Sequence, residues 1–187
     1  MILMGDPRRL RKKYDTPNHP WEKKRIEEEK KLVIEYGLKN KRELWRAQTL
    51  LRKYRHLARS LVGLPQEERA DKEQVILGKM IDLGLIQEGG SLDDILSLKV
   101  EDILERRLQT LVWKKGMALT PKQARQFIVH GHIKVNGRRT TAPGMIVDKK
   151  TEPTIDWVKE PLQLAPPKQQ TMAEAQDKAI GEGESNA

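Results

Sequence analysis

The sequence predicts an α+β protein: a mainly helical N-terminal region, then a compact module of two helices followed by a small β unit. Three observations carry that expectation. Leu44, Ala47, Leu51, Tyr54, Ala58 and Leu61 recur at helical spacing along one long stretch. Ala124, Phe127 and Ile128 repeat the i, i+3, i+4 pattern between Thr120-Pro121, which favours a helix start, and Gly131, which favours a stop. Directly afterwards Ile133 and Val135 alternate with polar neighbours and run into Asn136-Gly137, a strong two-residue hairpin signal.

Taken in order, residues 1–20 are basic, punctuated by Pro7, Pro17 and Pro20, and have almost nothing to bury. They are expected to form an extended arm, disordered alone and able to order against phosphates. A helix should run from about Pro20 to Tyr36 and stop at Gly37. Asn40 is placed to cap the next helix, with Glu43 three residues on as a capping-box partner and Gly63 at its end. Beyond Pro65 the residues Glu67, Glu68, Asp71 and Glu73 precede Val75-Ile76-Leu77, and carboxylates in a first helical turn suit the macrodipole. Gly89-Gly90 breaks the chain, and Ser91 with Asp94 caps a short helix. Helix resumes near Val100 and leads into the C-terminal module, with Leu104, Leu108, Leu111 and Val112 on its inner face. Thr120 caps the last helix and Gln123 can reach back to it. Met145–Val147 and Thr154–Trp157 read as strands. Four segments result: the arm at 1–20, a helical domain at 21–103, the compact module at 104–165 and a flexible tail at 166–187.

Charge is distributed in blocks. The 187 residues carry a net charge of +9, with 34% charged and only 4% aromatic residues, so core material is thin and surface chemistry dominates. Residues 1–60 hold 18 Lys/Arg against 8 Asp/Glu, residues 61–103 hold 4 against 10, and residues 104–160 hold 12 against 5. Two cationic blocks flanking an acidic one favour a polyanionic partner and steered association. The chain contains no cysteine, which excludes disulfides and thiolate metal sites. No apolar run approaches the length of a membrane span, so no membrane partner is expected, and a cytosolic location follows.

The order Arg106-Arg107-Leu108 on the module's first helix, Thr120-x-x-Gln123-Ala-Arg125-Gln126 opening the second, then His130-Gly-His132-Ile-x-Val-Asn136-Gly137, is specific. It resembles the small RNA-binding module shared by the ribosomal protein S-four family, some pseudouridine synthases and bacterial tyrosyl-tRNA synthetases. The stretch Met4-Gly-Asp-Pro-Arg-Arg-Leu-Arg-Lys-Lys-Tyr-Asp-Thr-Pro-Asn-His-Pro-Trp21 is similar to the start of the archaeal and eukaryotic members of the S-four family. The resemblance spans about residues 4–165. It implies a structural protein of the small ribosomal subunit, archaeal in type, binding small-subunit rRNA at a multi-helix junction of the 5′ domain and nucleating assembly. It further implies a neighbouring small-subunit protein, S-five, a position near the path by which mRNA enters, and an influence on translational accuracy. Some bacterial members bind zinc through N-terminal cysteines. This chain has none, so no metal or other cofactor is expected.

Folded RNA is recognised through shape, phosphates and 2′-hydroxyls, which calls for cations and short polar side chains on rigid elements. In the N-terminal part the candidates are Arg8, Arg9, Arg11, Lys12 and Lys13 of the arm. Arg42, Arg46 and Lys53 join them from the long helix, where Arg52, Arg55 and Arg59 also lie off the apolar stripe. In the module they are Arg106, Arg107, Lys114 and Lys115 on the first helix and Thr120, Lys122, Gln123, Arg125 and Gln126 around the start of the second. There a helix N-terminus could receive an anion. His130, His132, Lys134, Asn136, Arg138 and Arg139 extend the set, and the resemblance implies that the matching positions face RNA. Other readings stand beside these: ion pairing or helix packing for Arg107, capping alone for Thr120, and a bare turn for Asn136-Gly137. His130-x-His132 lacks further ligands nearby for a metal, and no glycine-rich phosphate loop or nucleophile–base pair is legible, so neither an enzyme nor a small-molecule substrate is expected. The alternative function is a stand-alone RNA-binding regulator or ribosome quality-control factor.

Overall fold

A computed structural model describes residues 12–159. Arg8, Arg9, Arg11 and the 166–187 tail lie outside the described residues. The chain runs α1 (Lys23–Glu35), α2 (Lys41–Val62), α3 (Gln66–Asp82), α4 (Leu92–Ser97), α5 (Val100–Glu105), α6 (Leu108–Lys114), α7 (Pro121–Val129), β1 (Ile133–Val135), β2 (Arg138–Arg139), a 3₁₀ turn (Glu152–Thr154) and β3 (Asp156–Trp157). This is the expected α+β fold.

α2 is the axis of the N-terminal half. Asn40 Oδ1 accepts from the Glu43 amide at 3.3 Å and starts the helix as anticipated. All six residues of the apolar stripe are buried, and α1, α3, α4 and α5 pack around them. Tyr36, Leu38, Met80, Leu92, Ile95, Ile103 and Leu104 complete this core. A second core gathers Leu108, Leu111, Val112, Ala124, Ile128, Ile133, Val135, Val147 and Ile155.

The expected helix running on from Val100 into the module is interrupted. α5 ends at Glu105, and Arg107 is extended, with φ −75° and ψ 141°. The break has a backbone cause. The Val147 amide donates to Arg106 O at 2.9 Å, the Leu108 amide donates to Met145 O at 2.8 Å, and Arg107 bridges Ile146. Met145–Val147 is therefore a clamp on the interruption and not a strand. The kink sends Leu104 into the first core and Leu108 into the second, although i and i+4 would share one face of an unbroken helix.

In the sheet, β1 is central in the order β2-β1-β3, with both pairings antiparallel. Asn136 and Gly137 have φ of 50° and 74°, the type I′ turn expected of that dipeptide. Thr154 falls in the 3₁₀ turn, so the strand expected from it shortens to Asp156–Trp157.

The arm also departs from expectation. Tyr14 packs on Trp45 with ring centroids 6.2 Å apart, the Asp15 amide donates to Thr49 Oγ1 at 3.0 Å, and Arg52 meets Asp15 at 2.9 Å. Residues 14–15 thus dock on α2 without a phosphate present. α1 begins at Lys23, three residues later than predicted. Inside it Glu29 leaves the acidic patch and is buried, held by Arg25 at 2.7 Å, Trp45 Nε1 at 3.0 Å and Lys41 at 3.0 Å.

Candidate nucleic-acid interface

Glu43 stands where the two halves of the molecule meet. Arg125 of α7 binds it in a fork, Nη2 to Oε1 at 2.6 Å and Nη1 to Oε2 at 3.0 Å, and Arg107 adds Nη2 to Oε2 at 3.0 Å. One carboxylate in the first turn of α2 thus gathers two guanidiniums from the module. Burial pushes the Glu43 carboxyl up, but hydrogen bonds and charge from Arg125 and Arg107 outweigh it and hold the group below the usual carboxylate range. Glu29 follows the same logic: burial raises it, and hydrogen bonds from Trp45, Lys41 and Arg25 bring it down.

Gln109 completes the junction. Its Nε2 donates to Tyr36 O at 3.1 Å, Gly37 O at 3.0 Å and Pro121 O at 2.9 Å, while its Oε1 accepts from Arg125 at 3.3 Å. Gly37, at φ +58°, lies so close to the first turn of α7 that a Cβ there would stand 2.9 Å from Pro121 Cβ and 3.1 Å from the Lys122 amide nitrogen. The start of α7 therefore rests on the Tyr36–Gly37 turn, which corrects its reading as a freely outward-facing anion site. Thr120 Oγ1 accepts from the Gln123 amide at 3.2 Å, and Gln123 reaches back to the Leu119 amide at 2.9 Å, one residue before the predicted partner.

The junction divides the candidate residues. Arg107 is buried and committed to Glu43, and Arg125 is held by the same carboxylate. Arg106 is also turned inward, donating to Glu152 at 2.8 Å and Val147 O at 3.0 Å. These three arginines fasten the structure to itself. Lys114 pairs with Glu105 at 3.1 Å and Lys134 with Asp156 at 3.2 Å, while Lys115 donates to Glu152 O. The Asp156 carboxyl is lowered by a hydrogen bond from the Trp157 amide and by Lys134. Arg139 lies over Gly131 and donates to His130 O at 2.8 Å. Asn136 is tied to Thr154, accepting from its hydroxyl at 2.6 Å. His130 and His132 stack with centroids 6.2 Å apart, and His132 also meets Phe127 edge-on.

Lys12, Lys13, Arg42, Arg46, Lys53, Lys122, Gln126 and Arg138 are exposed and have no hydrogen bond or ion pair among the described residues. Lys13, Arg46 and Lys53 border a groove of 780 Å³ between α2 and the 142–146 segment, with Arg107, Arg125 and Glu43 at its inner wall. Its floor includes Ala47, Leu50 and Met145, so a sugar or base edge could pack below the cationic rim. A second groove, along the opposite flank of α2, is bordered by Arg52, Arg55 and Arg59. These three were recognised as off-stripe cations but not taken as candidates.

The sequence reading missed Glu43 as a hub, though a signal existed: it is the sole carboxylate between residues 36 and 66. For Gln109 no signal was available. Among the described residues no cluster of three or more His, Cys, Asp or Glu is arranged to hold a metal, and no helix is long and apolar enough to cross a membrane.

Fold and charge together define a class: a small α+β protein organised around cationic grooves. The model of the ribosomal protein S4/S9 N-terminal domain matches residues 4–105, and that of the S4 domain matches residues 106–152. The chain is 56% identical over 155 residues to small ribosomal subunit protein uS4 of Saccharolobus islandicus, covering 82% of this chain and 86% of the relative. The protein of the same name from Ignicoccus hospitalis is 55% identical over 154 residues, covering 82% and 93%. That from Methanothermobacter thermautotrophicus is 51% identical over 154 residues, covering 82% and 90%. The chain belongs to the uS4 family of small-subunit ribosomal proteins, as its resemblance implied. The family is one of structural proteins, in agreement with the expectation of a binding protein and not an enzyme.

Proposed function

We propose that this chain is a structural constituent of the small ribosomal subunit in the cytoplasm, where it binds small-subunit rRNA directly through cations contributed by both halves. The observation that carries this reading is the groove flanked by Lys13, Arg46 and Lys53, closed on its far side by the 142–146 segment of the module. Exposed Arg42, Lys122, Gln126 and Arg138 extend the same chemistry. The Glu43 junction fixes the spacing of the two sets before RNA arrives, so little ordering entropy remains to oppose binding.

The family resemblance supplies the finer reading: a multi-helix junction in the 5′ domain, an early role in assembly of the body, contact with S-five, proximity to the mRNA path, and influence on accuracy. The arm residues Arg8, Arg9 and Arg11 would follow the phosphates away from the groove. Footprinting of the full chain on naked small-subunit rRNA tests the core of this reading. Protection of one multi-helix junction is expected, and uniform weak protection would contradict it. Stoichiometric recovery with purified small subunits is expected of a constituent, whereas a regulator would be substoichiometric.

A further inference from the structure

The N-terminal half carries an apolar surface for which RNA binding has no use. Leu57 and Leu61 of α2, Leu64 after it, and Val75 and Ile76 of α3 line a groove of 550 Å³. Val75 is 74% exposed and Leu57 44%, next to each other on one open face. Only Met80 is fully buried among the 17 residues of α3, which is little anchorage for a helix whose stability comes mainly from packing one face.

Charge around the groove points to the occupant. Lys72 pairs with Glu68 at 3.7 Å and Arg69 with Glu73 at 2.8 Å, so these two cations of α3 are matched within the helix. Glu67 and Asp71 have no ion pair among the described residues, and Asp71 lies on the groove's edge. Lys53 stands one turn before Leu57, so the cationic face of α2 gives way to the apolar one at that point. A phosphate backbone would meet uncompensated carboxylates here, whereas a basic polypeptide would find both its charges and its apolar side chains answered.

We propose that the α2–α3 groove docks a segment of a neighbouring protein, one that sets Lys or Arg beside one or two apolar side chains. The proposal rests on the ribosomal reading above, since it presumes a particle with basic protein neighbours. It makes the molecule two-faced: cationic grooves for RNA, an acid-rimmed apolar groove for protein.

The test uses full-length chain with the photo-crosslinker p-benzoylphenylalanine in place of Val75, reconstituted into small subunits from total small-subunit protein and rRNA. The expected product is a single protein crosslink mapping to a peptide with Lys or Arg flanking an apolar residue. Asp71→Lys should cut its yield several-fold while affinity for naked rRNA is unchanged. Crosslinks to RNA, to an acidic peptide or to no partner would overturn the proposal and leave the rRNA reading standing. Failure of the unsubstituted chain to bind rRNA or enter the particle would overturn the ribosomal reading, and this proposal with it.

Discussion

Glu43 shows how one residue decides what its neighbours do. Arg107 and Arg125 look in sequence like ligands for phosphate, and a single carboxylate turns both inward. Replacing one partner of a buried pair leaves the other charges uncompensated, so Glu43→Gln should lower stability by roughly 3 kcal/mol, measured by urea unfolding at neutral pH. The pH dependence has a definite sign. Glu43 and Glu29 both titrate below their ordinary value in the folded protein. Their contribution is complete above the unfolded glutamate pKa of roughly 4.3 and is lost as pH falls through the lower folded values. An acid titration should show stability falling from about that point, with a smaller drop in the Glu43→Gln protein. The exposed cations behave in the opposite way. Arg46→Ala, Lys53→Ala and Lys122→Ala together should leave the melting temperature nearly unchanged while weakening rRNA binding. The salt slope should fall by about 0.9 for each phosphate contact removed. Arg106→Ala with Arg125→Ala should instead lower the melting temperature.

At the scale of elements, the places where local sequence and structure agree are those where local chemistry decides. Asn40, Thr120, the Ser91–Asp94 capping box and the Asn136-Gly137 turn all act within a few residues of themselves, and each is found as predicted. The differences arise where a distant segment intervenes. The helix through Arg106-Arg107 is interrupted because residues 143–147 bind its backbone from about forty positions away, a pairing without periodicity to reveal it. Met145–Val147 looks like a strand for the same reason: its alternation is real, but its partner is a helix break. The start of α7 has the residues of an anion site, and only the fold shows Gly37 against it. Gly37→Ala should therefore destabilise the protein through both its left-handed backbone and the contact with Pro121. The backbone strain alone is about 1–2 kcal/mol, and a fall in thermal midpoint without change in the far-ultraviolet spectrum at low temperature would report it.

Across the whole molecule, the charge blocks of the sequence foretold the division of labour better than any single residue did. Both cationic blocks contribute to the groove, and the acidic block forms α3 and α4 on another side. Composition records how much of each charge a segment carries, but not which members pair internally, so the candidate set was right in location and too generous in membership. Arg106, Arg107 and Arg125 were legible as conspicuous cations, and their partners Glu152 and Glu43 lie 46, 64 and 82 residues away in sequence. What remains for RNA is a smaller set on fixed supports. The most direct measurement is the affinity of the full chain for naked small-subunit rRNA as salt is raised. If about 6–10 phosphates are neutralised from both halves, affinity should fall by about 10³–10⁵ between roughly 50 and 200 mM salt. An affinity that stays flat over that range would contradict the claim that paired cationic surfaces hold the RNA.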